Sequence, residues 1–344
     1  MRLVDLLPNI ATGISNSGFF FGAGTSVEAG YPMMPSLTKQ VISALSAAER
    51  SHLEEVLVAN SLSYDDATGQ PNIELLADHI ISHAIDTGAS RFSALEDRIR
   101  TLITDVILAV SNPDLDNHVK FLAGLKARAF GRPACVYIFT TNYDILFELA
   151  GAECGVAVET GFVGSVERFF ESQRFGTACG TVQLGSRFSE HPVLTVRLIK
   201  LHGSISWVSR GGRVFERHPS AFQVSDKRVL ILPRRRKVMD TLQPPHDTLF
   251  GVASRVIGSD CRFLLSAGFS FGDDHINKNL LLPAAAAGRI RLFALSSDET
   301  AGMSDFVKLP AFHAGFSGSG IAGGVRGSAG TDLWKFGELA DLFK

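Results

Sequence analysis

The chain is short of several things, and each shortage removes a class of protein. Four cysteines occur in 344 residues, Cys135, Cys154, Cys179 and Cys261, and no two of them form a C-x-x-C pair. That spacing speaks against a cysteine-built zinc site and against a disulfide framework, and it fits a cytoplasmic protein with reduced thiols. No stretch reaches the ~18 uninterrupted apolar residues of a membrane helix. The opening MRLVDLLPNIATGISNSG carries an acid in its short apolar run and continues directly into a strand pattern, unlike a secretory leader. Internal repeats are missing. So is any excess of charge: a formal net charge of −2 gives no global case for a nucleic-acid or membrane partner. The local exception, Arg234-Arg235-Arg236-Lys237, has the length of a solvated loop rather than of a binding patch.

What is present is ordinary for a globular protein, with 45% hydrophobic and 20% charged residues. The length suits either two domains or one large α/β unit. Strand-like runs rich in β-branched and aromatic residues recur at 18–22, 135–142, 193–203, 228–233, 261–268 and 289–297. Helix-period segments lie between them at 36–49, through much of 73–129, and at 143–150, 247–257 and 274–287. This alternation predicts a doubly wound, Rossmann-like α/β fold around a parallel sheet. Residues 35–132 read as a helical module inserted after the first strand unit, and 133–310 as the remainder of the sheet. Within that remainder, 155–197 is expected to be loops with a short hairpin. Residues 311–344 read as a glycine-rich, mobile loop and a C-terminal helix, the whole 1–344 forming one domain.

Four strand ends carry chemistry. The stretch FFFGAGTSVEAGYP (19–32) stops an apolar strand at Gly22-Ala23-Gly24-Thr25-Ser26. A strand, then glycines, then a helix start can cradle a phosphate, because glycine admits the anion close to the backbone. Thr25 and Ser26 add hydroxyls, and Glu28 suits a first helical turn. Gly30 comes too late to be the third glycine of a dinucleotide fingerprint, so a plain tight turn is the competing reading. FTTNYDILFE (139–148) sets Thr141, Asn142 and Asp144 at a central strand's carboxyl end, where they either contact a ligand or cap a helix. IKLHGSISW (199–207) presents His202, structural or basic. LLSAGFSFGDDHIN (264–277) presents Gly268 and Ser270, followed by Asp273 as a ligand contact or an N-cap.

In this order, GAG-T-S with G-x-P, then T-x-N-x-D, then L-H-G-S, then G-x-S, the chain resembles the sirtuin family. It is more closely similar to the sirtuin-like domains of bacterial antiphage defence proteins. The resemblance implies a sirtuin-like fold binding NAD⁺ across the carboxyl ends of the strands. It places Gly22, Ala23, Gly24 and Ser26, with Thr25, at the pyrophosphate, and Gly268 and Ser270 near the phosphate or the adenosine ribose. Asn142 and Asp144, beside Thr141, would hold the nicotinamide-ribose end, and His202 would be the general base. Departures from the deacylating members are also on view. There is no four-cysteine zinc module, so no zinc is expected. Met33-Met34 stand where Asp-Phe would follow the proline, and Thr141 stands where those members have glutamine. These favour hydrolysis of NAD⁺ as effector chemistry over protein deacylation. By the same resemblance, proteins of this type form homo-oligomers and work with a separate partner. That partner would be a HerA-type hexameric ATPase or an Argonaute-like protein, with nucleic acid met only through it, and the basal activity would be low. A deacylase, an ADP-ribosyltransferase or a non-catalytic nucleotide-binding scaffold are the alternatives.

Overall fold

The computed structural model describes residues 2–344 apart from positions 12, 15, 223–225 and 231–243. The basic run 234–237 and the end of the strand expected at 228–233 therefore lie outside the described residues. In chain order, α1 (Leu3–Leu6) leads into β1 (Ser17–Phe21). The helices α2 (Met34–Ser43), α3 (Ala47–Ala59), α4 (Ile73–Thr87), α5 (Ser90–Leu108) and α6 (Asp116–Arg128) follow. Then come β2 (Ala134–Thr140), α7 (Leu146–Cys154), β3 (Ala157–Glu159), β4 (Phe162–Val163), β5 (Arg168–Phe170), β6 (Gly180–Val182) and β7 (Phe188–Glu190). The next strands are β8 (Leu194–Lys200), β9 (Gly203–Arg210), β10 (Arg213–Glu216) and β11 (Lys227–Leu230). The last third contains α8 (His246–Val256), β12 (Phe263–Ala267), α9 (Asp274–Ile276), α10 (Leu282–Ala286) and β13 (Arg291–Leu295). It closes with β14 (Phe312–Gly315), β15 (Gly320–Ala322), β16 (Val325–Gly327) and α11 (Phe336–Asp341). Among the described residues no helix is long and apolar enough to cross a membrane.

Among the described residues the main sheet has nine strands in the order β16-β15-β14-β13-β12-β1-β2-β8-β3. From β14 to β3 every pairing is parallel. This is the Rossmann-like α/β fold that the alternation predicts. β1 lies between β12 and β2, so the chain leaves it to one side first and to the other side later. Such a reversal opens a crevice beyond the carboxyl ends of the strands. The sequence Ser17-Gly-Phe-Phe-Phe21 explains why β1 is central, since every residue in it is buried. Alternate residues of a strand face opposite layers. Phe19 and Phe21 pack on Phe121 at 5.0 and 5.4 Å between ring centroids, while Phe20 packs on the other face against Phe269 at 4.7 Å.

Two parts of the chain differ from expectation. The stretch read as loops with a hairpin holds β3, an edge strand of the main sheet, together with β4 and β5 and the β6–β7 ladder. β4 and β5 join β9, β10 and β11 in a second, antiparallel sheet of five strands ordered β11-β9-β10-β5-β4. The glycine-serine-rich tail is not a simple loop either: β14 continues the parallel sheet, and β15 and β16 extend it antiparallel. The helices α2–α5 build their own apolar core from residues such as Val41, Val56, Ile80, Phe92 and Ile103. That core also takes in Tyr143, Ile205 and Leu230, so the helical module sits on the β2 loop and on the second sheet.

Candidate active site

The turn after β1 and the turn after β12 interlock backbone on backbone. The Gly22 N–H donates to Ala267 O at 3.1 Å, and the Gly24 N–H donates to Gly268 O at 3.0 Å. A Cβ on Gly24 would stand 2.6 Å from Gly268 Cα. One on Gly268, whose φ is +64°, would stand 2.5 Å from Thr25 N. Gly268 thus supplies from a neighbouring strand the close approach that a third glycine supplies in the usual dinucleotide loop. Residues 23–26 form a single 3₁₀ turn, and the next α-helix begins only at Met34. The helix start expected directly after the glycines is therefore absent. Glu28 therefore opens no helix of its own segment; its carboxylate accepts from the Gly337 N–H at the amino end of α11 at 2.7 Å and from Asn117 Nδ2 at 3.2 Å, tying α11 to the turn.

Asn142 is the hub of the polar cluster. Its Nδ2 lies 3.1 Å from Gly22 O, 3.3 Å from Thr25 Oγ1 and 2.9 Å from Ser26 Oγ. Its own N–H donates to Thr140 Oγ1 at 3.0 Å. The side-chain oxygen, Oδ1, is shielded from solvent and has no hydrogen-bond partner among the described residues. An amide acceptor held this way is costly unless something donates to it. Ser26 Oγ in turn donates to Asp144 Oδ2 at 2.7 Å, while Asp144 Oδ1 accepts from the Leu146 N–H at 3.1 Å. Asp144 is thus both a helix cap and the anchor of Ser26. Beneath it, buried Lys200 pairs with Glu148 Oε1 at 2.9 Å and also donates to the Asp144 carbonyl. Burial raises the Glu148 carboxyl above its ordinary range although Lys200 pulls the other way.

His202 follows β8, and its Nε2 lies 2.9 Å from Asp273 Oδ2, with both side chains almost wholly buried. The other Asp273 oxygen accepts from the N–H groups of His275 at 2.9 Å and Ile276 at 3.1 Å. Asp273 is therefore the N-cap that its position suggests and, through its second oxygen, the partner of His202. The Asp273 carboxylate thus orients the imidazole ring of His202 through Nε2. Nearby His246 is buried, and its pKa is lowered to about 3, first by burial and then by His202 and Arg100. A neutral imidazole accordingly stands beside the His202 turn.

Two cavities flank the glycine turn. The first, of about 90 Å³, is lined by Ala23, Ser26, Thr141, Asn142, Asp144 and His202 from the sheet. Tyr31, Pro32, Met34, Leu37, Glu74 and Ile107 close it from the other side. The second, of about 360 Å³, takes Gly24, Gly268 and Ser270 together with Ser296, Ser297 and Trp334. Met33 faces this second cavity and Met34 the first, so the pair straddles the divide between them. Of the residues singled out in the sequence, Gly22, Thr25, Gly30 and Asp273 line neither cavity. Thr25 Oγ1 donates to Gly22 O at 2.9 Å, so both support the turn from beneath. Ser296 and Ser297 close the run at 289–297, and their place after a parallel strand was the signal that could have found them. Trp334 and Glu74 give no comparable signal, since each reaches the site from a distant segment.

The fold and the site define a Rossmann-like α/β protein with its polar residues gathered at the strand ends beside β1. Residues 136–298 match the family model described as a SIR2-like domain. The match runs from β2 to just past β13 and takes in Asn142, His202, Gly268, Ser270 and Asp273. The glycine turn after β1 and the helices α2–α5 lie outside it. No curated protein matches the chain.

Proposed function

We propose that the chain is an NAD⁺ glycohydrolase, cleaving NAD⁺ with water to nicotinamide, ADP-ribose and a proton. The observation that carries this reading is that Asn142 and His202, the latter held by Asp273, line one cavity across the glycine turn from a second. A dinucleotide laid over Ala23 and Gly24 would set its nicotinamide-ribose end among Asn142, Thr141 and His202. Its adenosine end would rest among Gly268, Ser270, Ser296 and Ser297. The N-glycosidic bond breaks with its electron pair leaving on nicotinamide, through an oxocarbenium-like state. Water attacks the anomeric carbon, and its proton passes to His202 as general base. Asn142 Oδ1, an acceptor without a partner, orients that water or a ribose hydroxyl without adding charge.

By the sirtuin-like resemblance, the biological setting is NAD⁺ depletion in bacterial antiphage defence. The chain would act in the cytoplasm as a homo-oligomer beside a HerA-type ATPase or an Argonaute-like protein. The test is NAD⁺ consumption by the chain, alone and with its genomic neighbour's product, read as free ADP-ribose and nicotinamide. Asn142→Ala and His202→Ala are each expected to lower turnover by about 10²-fold or more. Unchanged NAD⁺ loss in both variants would sink the site assignment. Acyl-ADP-ribose formed from NAD⁺ and an acylated peptide would replace hydrolysis with deacylation.

A further inference from the structure

The ends of the strands opposite the proposed NAD⁺ crevice hold a second concave site. Arg262 immediately precedes β12, Arg291 opens β13, and His313 stands on β14, whose parallel register sets them along the amino edge of the sheet. Arg289 joins them from the turn after α10. These four line a cavity of about 730 Å³, within the range of small-molecule sites. Arg262 and Arg289 are exposed and Arg291 is half-buried. Among the described residues no carboxylate reaches ion-pair distance of the three guanidiniums, and Arg291 Nε is shielded from solvent without a hydrogen-bond partner. Burial and Arg291 together lower the pKa of His313, with no acid opposing them.

An ordinary account exists for part of this cluster. The cavity is also lined by Gly258 and Gly288, which follow the carboxyl ends of α8 and α10. A cation at a helix carboxyl end complements the helix dipole. That accounts for one cation per helix through contact with its last carbonyls, yet none of the three guanidiniums makes such a bond among the described residues. Nor is the chain basic, with 33 Lys and Arg against 35 Asp and Glu. Three arginines facing one cavity without an acid are therefore not a sample of the average surface. Guanidinium forks match phosphate oxygens two at a time, and a half-buried one gains most from such a partner.

We propose that this cavity binds a small phosphate-bearing molecule, a phosphomonoester or pyrophosphate carrying two or more negative charges, with Arg262, Arg289 and Arg291 as its ligands. The site is separate from the crevice at the other ends of β12 and β13. The test is calorimetric titration of the full chain with inorganic pyrophosphate at low and physiological salt. A parallel arm uses a short single-stranded oligonucleotide lacking terminal phosphates. Saturable pyrophosphate binding is expected, weakening by about tenfold in Arg289→Ala and further in Arg289→Ala/Arg291→Ala. Ser270→Ala, at the far ends of the strands, should leave it unchanged. Absence of saturable binding up to millimolar pyrophosphate would overturn the proposal, as would equal affinity in the double variant. Loss through Ser270→Ala instead, or tighter binding of the oligonucleotide than of pyrophosphate, would overturn it too.

Discussion

Asp273 joins two structures through its two oxygens, and that division makes its role separable by substitution. Oδ1 caps α9, and Oδ2 faces His202 Nε2 at 2.9 Å. Asparagine caps a helix as well as aspartate does, but an amide facing imidazole no longer offers the carboxylate that fixes the ring. Asp273→Asn should therefore keep its melting temperature within a degree or two while kcat for NAD⁺ falls by about 10²-fold. KM should stay within about twofold. A variant that instead lost stability and kept kcat would reduce Asp273 to a cap. Asn142 and His202 were legible in the sequence because each stands two residues after a strand, and Ser26 because it closes the glycine turn that follows β1. The His202–Asp273 pairing was not, because 71 residues separate the partners and the N-cap explained Asp273 on its own. Gly22, Thr25 and Asp144 stand beside the cavities with their polar groups already engaged within the protein.

Among the elements, the parallel strands were readable because central strands buried on both faces show as unbroken apolar runs. The second sheet was not, since β4, β5 and β10 are two to four residues long and draw their stability from neighbours remote in sequence. Glycine-rich β15 and β16 hid for the same reason, as pairing with β14 rather than intrinsic propensity makes them strands. The glycine turn teaches a related point. Its missing third glycine is Gly268, placed by β12 against Gly24, and no local window reveals that partnership. Adding a methyl group at Gly24, 2.6 Å from Gly268 Cα, pushes backbone against backbone. Gly24→Ala should thus cost about 1–3 kcal/mol of stability and lower NAD⁺ affinity and turnover together. Gly176→Ala, where an added Cβ meets nothing within 4 Å, is the control and should change neither. Thermal melts and NAD⁺ titration of both variants check this, and a Gly24→Ala protein with native stability and affinity would refute the interlock.

On the scale of the whole molecule, the helical module becomes part of the site. Met34, Leu37, Glu74 and Ile107, carried by α2, α4 and α5, close the cavity that holds Asn142 and His202. The space beneath them is about 90 Å³, below the roughly 300 Å³ at which small-molecule sites begin. On the proposed reading, a nicotinamide riboside moiety calls for more room there, which a shift of that roof would supply. The module rests on the β2 loop through an apolar core that includes Tyr143, so the closed arrangement is held by packing. On the proposed NAD⁺ reading, closure of this kind predicts low basal turnover that rises when the roof shifts. Loosening the roof from within should then mimic activation. Ile107→Val removes one methyl at a cost of about 0.5–1.5 kcal/mol, and Leu37→Ala removes more, about 2–5 kcal/mol. Both are expected to raise NAD⁺ turnover by the isolated chain several-fold while lowering its melting temperature, with Leu37→Ala the larger in each. Turnover that stayed flat or fell in step with the melting temperature would show that the module only supports the site and does not gate it.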